Sequence, residues 1–253
     1  MLDKIMVFVL ALLISMSVYA TSRLNEKGSQ FIISPSIGYY KYKNATPSLM
    51  KITGPSLSFG VDYQYAKQND IVFMVNSDFG FVNGSYTGNL FDNKAQTFDN
   101  DNSIILQISP RLGYQFFFQE QTLKLLPSIG LGYRYLNNYA SNEPGDYLRQ
   151  STYFYIISGL RFEYTYKYWT WKANIEFNTL MYGAQYSRTK GGVKNKQDNG
   201  FGINGYILMG SGTSFIGPYI KYWNIGESDR DISGLSESKN STLEVGVMYQ
   251  FVF

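Results

Sequence analysis

From residue 30 onward, apolar and polar residues alternate with period two in ten successive stretches. That period belongs to a β-strand whose two faces meet different surroundings. The first stretch sets Phe31, Ile33, Pro35, Ile37 and Tyr39 against Ser34, Ser36 and Gly38. The second sets Leu57, Phe59, Val61, Tyr63 and Tyr65 against Ser56, Ser58, Gly60, Asp62 and Gln64. The seventh is the cleanest, with Trp169, Trp171, Ala173, Ile175 and Phe177 opposed to Thr170, Lys172, Asn174, Glu176 and Asn178. The tenth runs Leu243, Val245, Val247, Tyr249, Phe251 and Phe253 against Thr242, Glu244, Gly246 and Gln250. The others lie near 71–81, 104–115, 124–135, 154–164, 201–209 and 215–225, and the ninth alternates least clearly.

Strand length separates the two architectures open to such a pattern. Strands of a soluble sandwich commonly have about 5–6 residues, whereas a tilted strand needs about 9–11 to cross a bilayer. Most of these stretches have the second length. Aromatic residues also collect near their ends: Phe116 to Phe118, Trp169, Trp171, Phe251 and Phe253 on one side, and Tyr39, Tyr135 and Tyr182 on the other. Two such belts are the interfacial girdles of a spanning barrel.

The connections set the topology. Short ones at Lys67–Asp70, Gln119–Thr122, Lys167–Tyr168 and Gly212–Thr213 alternate with long polar ones near Asn44–Thr53, Ser85–Asn102, Asn137–Gln150, Arg188–Gly200 and Gly226–Asn240. Short periplasmic turns and long external loops are the usual arrangement. The expected fold is therefore all-β, a closed antiparallel transmembrane β-barrel of about ten strands with both termini periplasmic. Closure leaves no strand edge exposed.

The first twenty residues stand apart from this pattern. Lys4 precedes an apolar run from Ile5 to Val18, and Val18-Tyr19-Ala20 has the small-residue form of a cleavage site. Residues 1–20 are expected to be a cleavable signal peptide, 21–29 a short periplasmic segment and 30–253 the barrel.

Composition mainly excludes. With 23 Tyr, 18 Phe and 24 Gly but only 16% charged residues, the 253-residue chain spreads its apolar content as alternation. A net charge of +3 without a basic-aromatic patch gives no reason to expect nucleic acid. The lack of cysteine removes disulfides and thiolate metal sites. The lack of histidine removes Ser–His–Asp and Cys–His nucleophile systems and histidine zinc sites. Asp92, Asp99 and Asp101 lack the spacing of an EF-hand. No metal, cofactor or catalytic residue is expected.

Charges on the inward face form the candidate site: Asp62, Asp78, Arg111, Lys124, Arg134, Arg161, Glu163, Lys172, Glu176, Lys221 and Glu244. A two-residue turn at Lys167–Tyr168 places Glu163 opposite Lys172, and Arg161 opposite Asn174 and diagonal to Glu176. Such a network satisfies a polar interior; the same residues could line a narrow selectivity region. Small inward residues (Ser34, Ser36, Gly38, Ser56, Ser58, Gly60, Gly130, Gly132) suggest some free space. Outside, Arg188, Lys190, Lys194 and Lys196 make the fourth loop basic, suited to lipopolysaccharide phosphates or another anionic partner.

The closing stretch, Val245-Gly-Val-Met-Tyr249-Gln-Phe251-Val-Phe253, resembles the C-terminal assembly signal of bacterial outer-membrane β-barrel proteins. The resemblance is architectural and spans nearly the whole chain. It implies residence in the bacterial outer membrane, contact with its lipid and lipopolysaccharide, and recognition of Tyr249, Phe251 and Phe253 by the barrel-assembly machinery. Ten-stranded members include omptin proteases and an adhesin of the Opc type; omptins rely on a histidine that is missing here. Three functional readings follow. The first is a non-enzymatic surface barrel acting through its loops or as a structural component, with its extracellular partner unknown. The second is a narrow porin-like channel, and the third a carboxylate-based enzyme.

Overall fold

The computed structural model describes residues 28–44, 50–66, 70–89, 95–118, 122–140, 147–187, 193–230 and 236–253. The expected signal peptide lies outside them. Ten strands form one closed antiparallel sheet: β1 (Ser29–Asn44), β2 (Lys51–Ala66), β3 (Ile71–Asn89), β4 (Ala95–Tyr114, resumed after Gln115 by Phe116–Phe118), β5 (Leu123–Ala140), β6 (Tyr147–Tyr166), β7 (Trp169–Ser187), β8 (Val193–Gln197, then Gly200–Ser211), β9 (Ser214–Ile225) and β10 (Asn240–Val252). Both pieces of β8 pair with β7 in one register, Gln197 facing Gly183 and Phe201 facing Thr179.

The sheet closes where β10 pairs with β1, from Ile32↔Val252 to Asn44↔Asn240. Phe31 and Phe253 seal that seam by exchanging backbone hydrogen bonds of 3.1 and 2.8 Å. In hydrocarbon an unpaired N–H or C=O costs several kcal/mol, so closing the seam is a condition of insertion. Its register is interrupted only at Ser34 and Pro35, and proline has no N–H to leave unpaired.

The outward face is apolar to an extent that water would not tolerate. Ile37, Leu57, Leu112, Ile129, Leu131 and Ile175 are each at least half exposed. Soluble proteins do not leave a continuous band of this kind uncovered. Trp169, Trp171 and Phe116 to Phe118 rim the band at one end, and Tyr39 and Tyr182 at the other. The first rim lies at the short connections, where Lys167 and Gly212 take left-handed φ of 55° and 59°. Glycine does so without a Cβ penalty. This is termed the turn end, and its opposite the loop end.

At the loop end the strands run further than expected. β3 continues to Asn89 and β4 starts at Ala95, so most of Ser85–Asn102 is paired strand and not loop; Asn137–Gln150 shortens in the same way. Once past the lipid, both faces of a strand are polar. The alternation then fades while the pairing goes on.

The interior is packed in layers. Near the loop end Tyr40, Tyr42, Met50, Ile52, Val82, Tyr86, Ile105 and Leu136 form one buried cluster, and Tyr153, Tyr155, Ile157, Leu180, Trp223 and Ile225 another. Ile32, Leu208, Phe215, Tyr219, Met248 and Val252 cluster toward the turn end, as do Val72, Met74 and Leu126. Some of the small inward residues are seats for these rings, whereas Ser34 and Gly60 border an internal cavity. A Cβ on Gly132 would fall 2.3 Å from the Tyr155 ring, and one on Gly202 2.8 Å from Trp223.

Gly132→Ala is therefore expected to destabilise the barrel by about 1–3 kcal/mol through overpacking. In a Tyr155→Ala background the same change should cost far less. Urea unfolding of protein refolded into vesicles measures both; equal costs in the two backgrounds would mean that Tyr155 does not occupy that seat.

Candidate functional site

Between the two apolar ends lies a belt of inward charges, and three of its ion pairs join strands that are not neighbours. Arg111 on β4 reaches Glu176 on β7 in a bidentate pair, its second contact 3.1 Å long. Arg161 on β6 meets Asp62 on β2 at 3.4 Å, and Lys221 on β9 meets Asp78 on β3 at 2.6 Å. These three pairs tie one wall of the barrel to the other. Ser109 and Asn174 add hydrogen bonds to the first of them.

The remaining inward charges are held in other ways. Glu163 faces Lys172 in the β6–β7 register, and Arg161 faces Asn174. The carboxylate of Glu163, however, makes its ion pair with Lys124 of β5, at 3.3 Å. Lys172 instead lies over the Phe215 ring, 3.9 Å from its centre. Arg134 lies over Trp223 and Tyr153 at 5.3 and 5.8 Å. Glu244, whose register partner is Lys221, accepts hydrogen bonds from Tyr219 (2.7 Å), Ser56 and Ser58 (both 3.2 Å). Cross-strand spacing identifies neighbours on one wall; the pairs that span the lumen depend on curvature, which spacing does not carry.

A cavity of about 100 Å³ lies within the belt, bordered by Asp62, Asp78, Arg111, Arg161, Glu176 and Lys221. A second, of about 30 Å³, lies toward the turn end beside Lys124, Glu163 and Lys172. A water needs roughly 10–15 Å³ on this scale, so the larger space is big enough for several.

At the loop end lies a buried group that the alternation pattern does not single out. Arg149 is fully buried, with its guanidinium 4.5 Å from the centre of the Tyr42 ring, 2.9 Å from Gln185 and 2.9 Å from Glu237. Glu237 also accepts from Asn44 (3.1 Å), and its backbone is tied to Ser228 in both directions. The last long connection thus sends a carboxylate into the mouth of the barrel. Asp101, fully buried, interacts electrostatically with Arg149. Asp99 faces outward and accepts a hydrogen bond from Ser85, so Asp99 and Asp101 do not converge on one site.

The expected basic loop is only partly described. Arg188 and Lys190 lie outside the described residues, while Lys194 and Lys196 sit on the paired first piece of β8, exposed. Lys196 is offset by Asp198 at 3.4 Å. Of the terminal aromatics, Tyr249 and Phe251 pack with tilted rings, their centres 4.5 Å apart, on the outward face of β10, next to the Phe253 seam.

Residues 25–252 match the family described as Domain of unknown function (DUF2715). The chain belongs to that family. No curated protein matches the sequence. Among solved structures, the outer membrane protease OmpT from Escherichia coli is similar over 92% of this chain and 98% of its own, with a TM-score of 0.63 at 7% identity. The outer membrane protein OprG from Pseudomonas aeruginosa aligns over 90% of this chain and 98% of its own (TM-score 0.45, 9% identity). A major outer membrane protein from Thermus thermophilus aligns over 89% and 99% (TM-score 0.44, 10% identity). The likeness to OmpT is one of fold. Together with the lipid-facing band, it makes this DUF2715 member a ten-stranded outer-membrane β-barrel.

The Arg111–Glu176 pair offers a direct test of how the belt is balanced. Glu176→Leu leaves a buried guanidinium uncompensated and is expected to cost about 3–5 kcal/mol. The double change Arg111→Met with Glu176→Leu should recover most of that loss. Tryptophan-detected urea unfolding measures each; a double variant no better than the single one would contradict the pairing.

Proposed function

We propose that this protein is an occluded, non-enzymatic barrel, with its loop end facing out of the cell, that acts through that surface or by stabilising the membrane it spans. The observation that carries this reading is the filled lumen. Arg149, Tyr42 and Glu237 block the loop end, the Tyr153–Tyr155–Trp223 cluster lies beneath them, and the charged belt follows. An eight-stranded barrel has roughly room for its own side chains and sixteen strands leave a channel. Ten strands carrying inward tyrosines fall at the filled end.

Two further observations support it. The belt carboxylates are engaged: Glu176 by Arg111, Asp62 by Arg161, Asp78 by Lys221, and Glu244 by three hydroxyls. A general acid–base pair needs carboxyls free to exchange protons with a bound substrate, and the chain has no histidine to take their place. Outward orientation of the long connections follows the usual asymmetry of such barrels. In this reading Tyr249, Phe251 and Phe253 are the strand that the assembly machinery recognises, and the partner at the outer surface is a macromolecule or the membrane itself.

Planar-bilayer recording tests the occlusion. The purified wild-type protein is expected to insert without steady current, and the double variant Tyr153→Ala with Trp223→Ala to show intermittent openings. Steady nanosiemens conductance from the wild type would sink the proposal and restore the narrow-channel reading.

A further inference from the structure

Lysines on the outer wall at the loop end are grouped on one side. Lys41 and Lys43 follow Tyr39 on the outward face of β1, and Lys51 lies directly opposite Lys43 on β2. Ser241 of β10 is the other register partner of Lys43, with Lys239 two residues beyond it. All four lysines are exposed, and among the described residues none makes an ion pair or a side-chain hydrogen bond. The only carboxylates on these three strands, Asp62 and Glu244, point into the lumen. By contrast, the outward positions described on β3 to β7 carry no lysine or arginine at all.

Two lysines directly opposite each other on an antiparallel pair repel. Among the described residues no acidic side chain pairs with them to relieve that repulsion. The height of the group suggests what does relieve it. Tyr39 marks the rim of the lipid-facing band. At about 3.3 Å rise per residue and a tilt near 40°, Lys41 and Lys43 stand roughly 5 and 10 Å above it. Long lysine side chains bend toward the headgroup layer while their stems stay on apolar surface. The position is where phosphates of the lipid layer lie, and the charge is complementary to them.

We propose that Lys41, Lys43 and Lys51, with Lys239 at the margin, form a binding site for the phosphate-bearing headgroup of a membrane lipid, fixing one side of the barrel in its leaflet. The group differs from the basic fourth loop, whose Lys196 is already offset by Asp198. Assignment to the outer leaflet rests on the orientation proposed above. The binding itself does not, because a detergent micelle has no sides.

Native mass spectrometry of the full-length protein in detergent, titrated with phosphatidic acid or phosphatidylcholine, tests the site. Phosphatidic acid is expected to be retained in preference to phosphatidylcholine. Lys41→Gln with Lys43→Gln should weaken retention by about 30-fold, at roughly fivefold per lysine. Lys51→Gln alone should weaken it by about fivefold, which keeps the test open if the double variant folds poorly. Lys194→Gln with Lys196→Gln, removing the same charge, should change it little. Unboiled gel mobility verifies that each variant is folded. Equal losses from the two double variants, or no loss from either, would overturn the proposal. So would displacement of the lipid by millimolar inorganic phosphate at matched ionic strength, which would mark a soluble anion site. A lysine-dependent dimer in the same spectra would assign the face to a second copy of the chain and likewise overturn it.

Discussion

Within a bilayer no water is available to satisfy a backbone N–H or C=O, so a sheet can cross only by closing on itself. In this chain closure falls on the β10–β1 seam, where Phe31 and Phe253 exchange backbone hydrogen bonds at the very end of the sequence. The rest follows from that requirement. Once the sheet is closed its faces are separated for good, one to lipid and one to a confined lumen. The outward residues then need no polar partner, and every inward charge must find one within reach.

The lumen meets most of that demand by dividing into layers, with Lys172 and Arg134 held over aromatic rings instead. Charges occupy the middle, where Arg111, Arg161 and Lys221 each find a carboxylate on a distant strand. Aromatic and aliphatic side chains occupy both ends, some resting on glycines of adjacent strands, as Tyr155 does on Gly132 and Trp223 on Gly202. Low-dielectric packing above and below the belt shields its ion pairs from water. It also makes them costly to break, so the belt and the plugs stabilise each other. In the reading proposed above such a barrel is occluded, and what it offers to partners lies at its surfaces, among them the outer wall at the loop end where lysines replace apolar residues.

Much of this was legible in the residues. Strand count, closure and the inward side of most charges follow from period-two alternation, because the two faces of a membrane strand differ so sharply. β9 was hard to read for a physical reason: Phe215, Tyr219, Trp223 and Ile225 face inward into the clusters while Ile216 and Ile220 face lipid, so both faces are apolar. β6 has the same character from Tyr153 to Ile157. The loop-end extensions escaped notice because both faces there are polar. The small residues divide in two: Ser34 and Gly60 border free space, whereas Gly132 seats the Tyr155 ring through the register of β5 and β6, where the two face each other. The trans-lumen ion pairs depend on barrel curvature, and the lysine group on two strands brought side by side. Neither is visible in a linear spacing.

Whether the lumen is closed can be probed cleanly, because the sequence has no native cysteine. Ser34 borders the central cavity, and Thr87 is exposed on the outer wall at the loop end. With Ser34→Cys and Thr87→Cys prepared separately and folded in detergent, where both ends are accessible, labelling by a bulky charged thiol reagent should be rapid at 87 and absent at 34 until the protein is denatured. Labelling at 34 in the folded protein at a rate near that at 87 would contradict the occluded barrel.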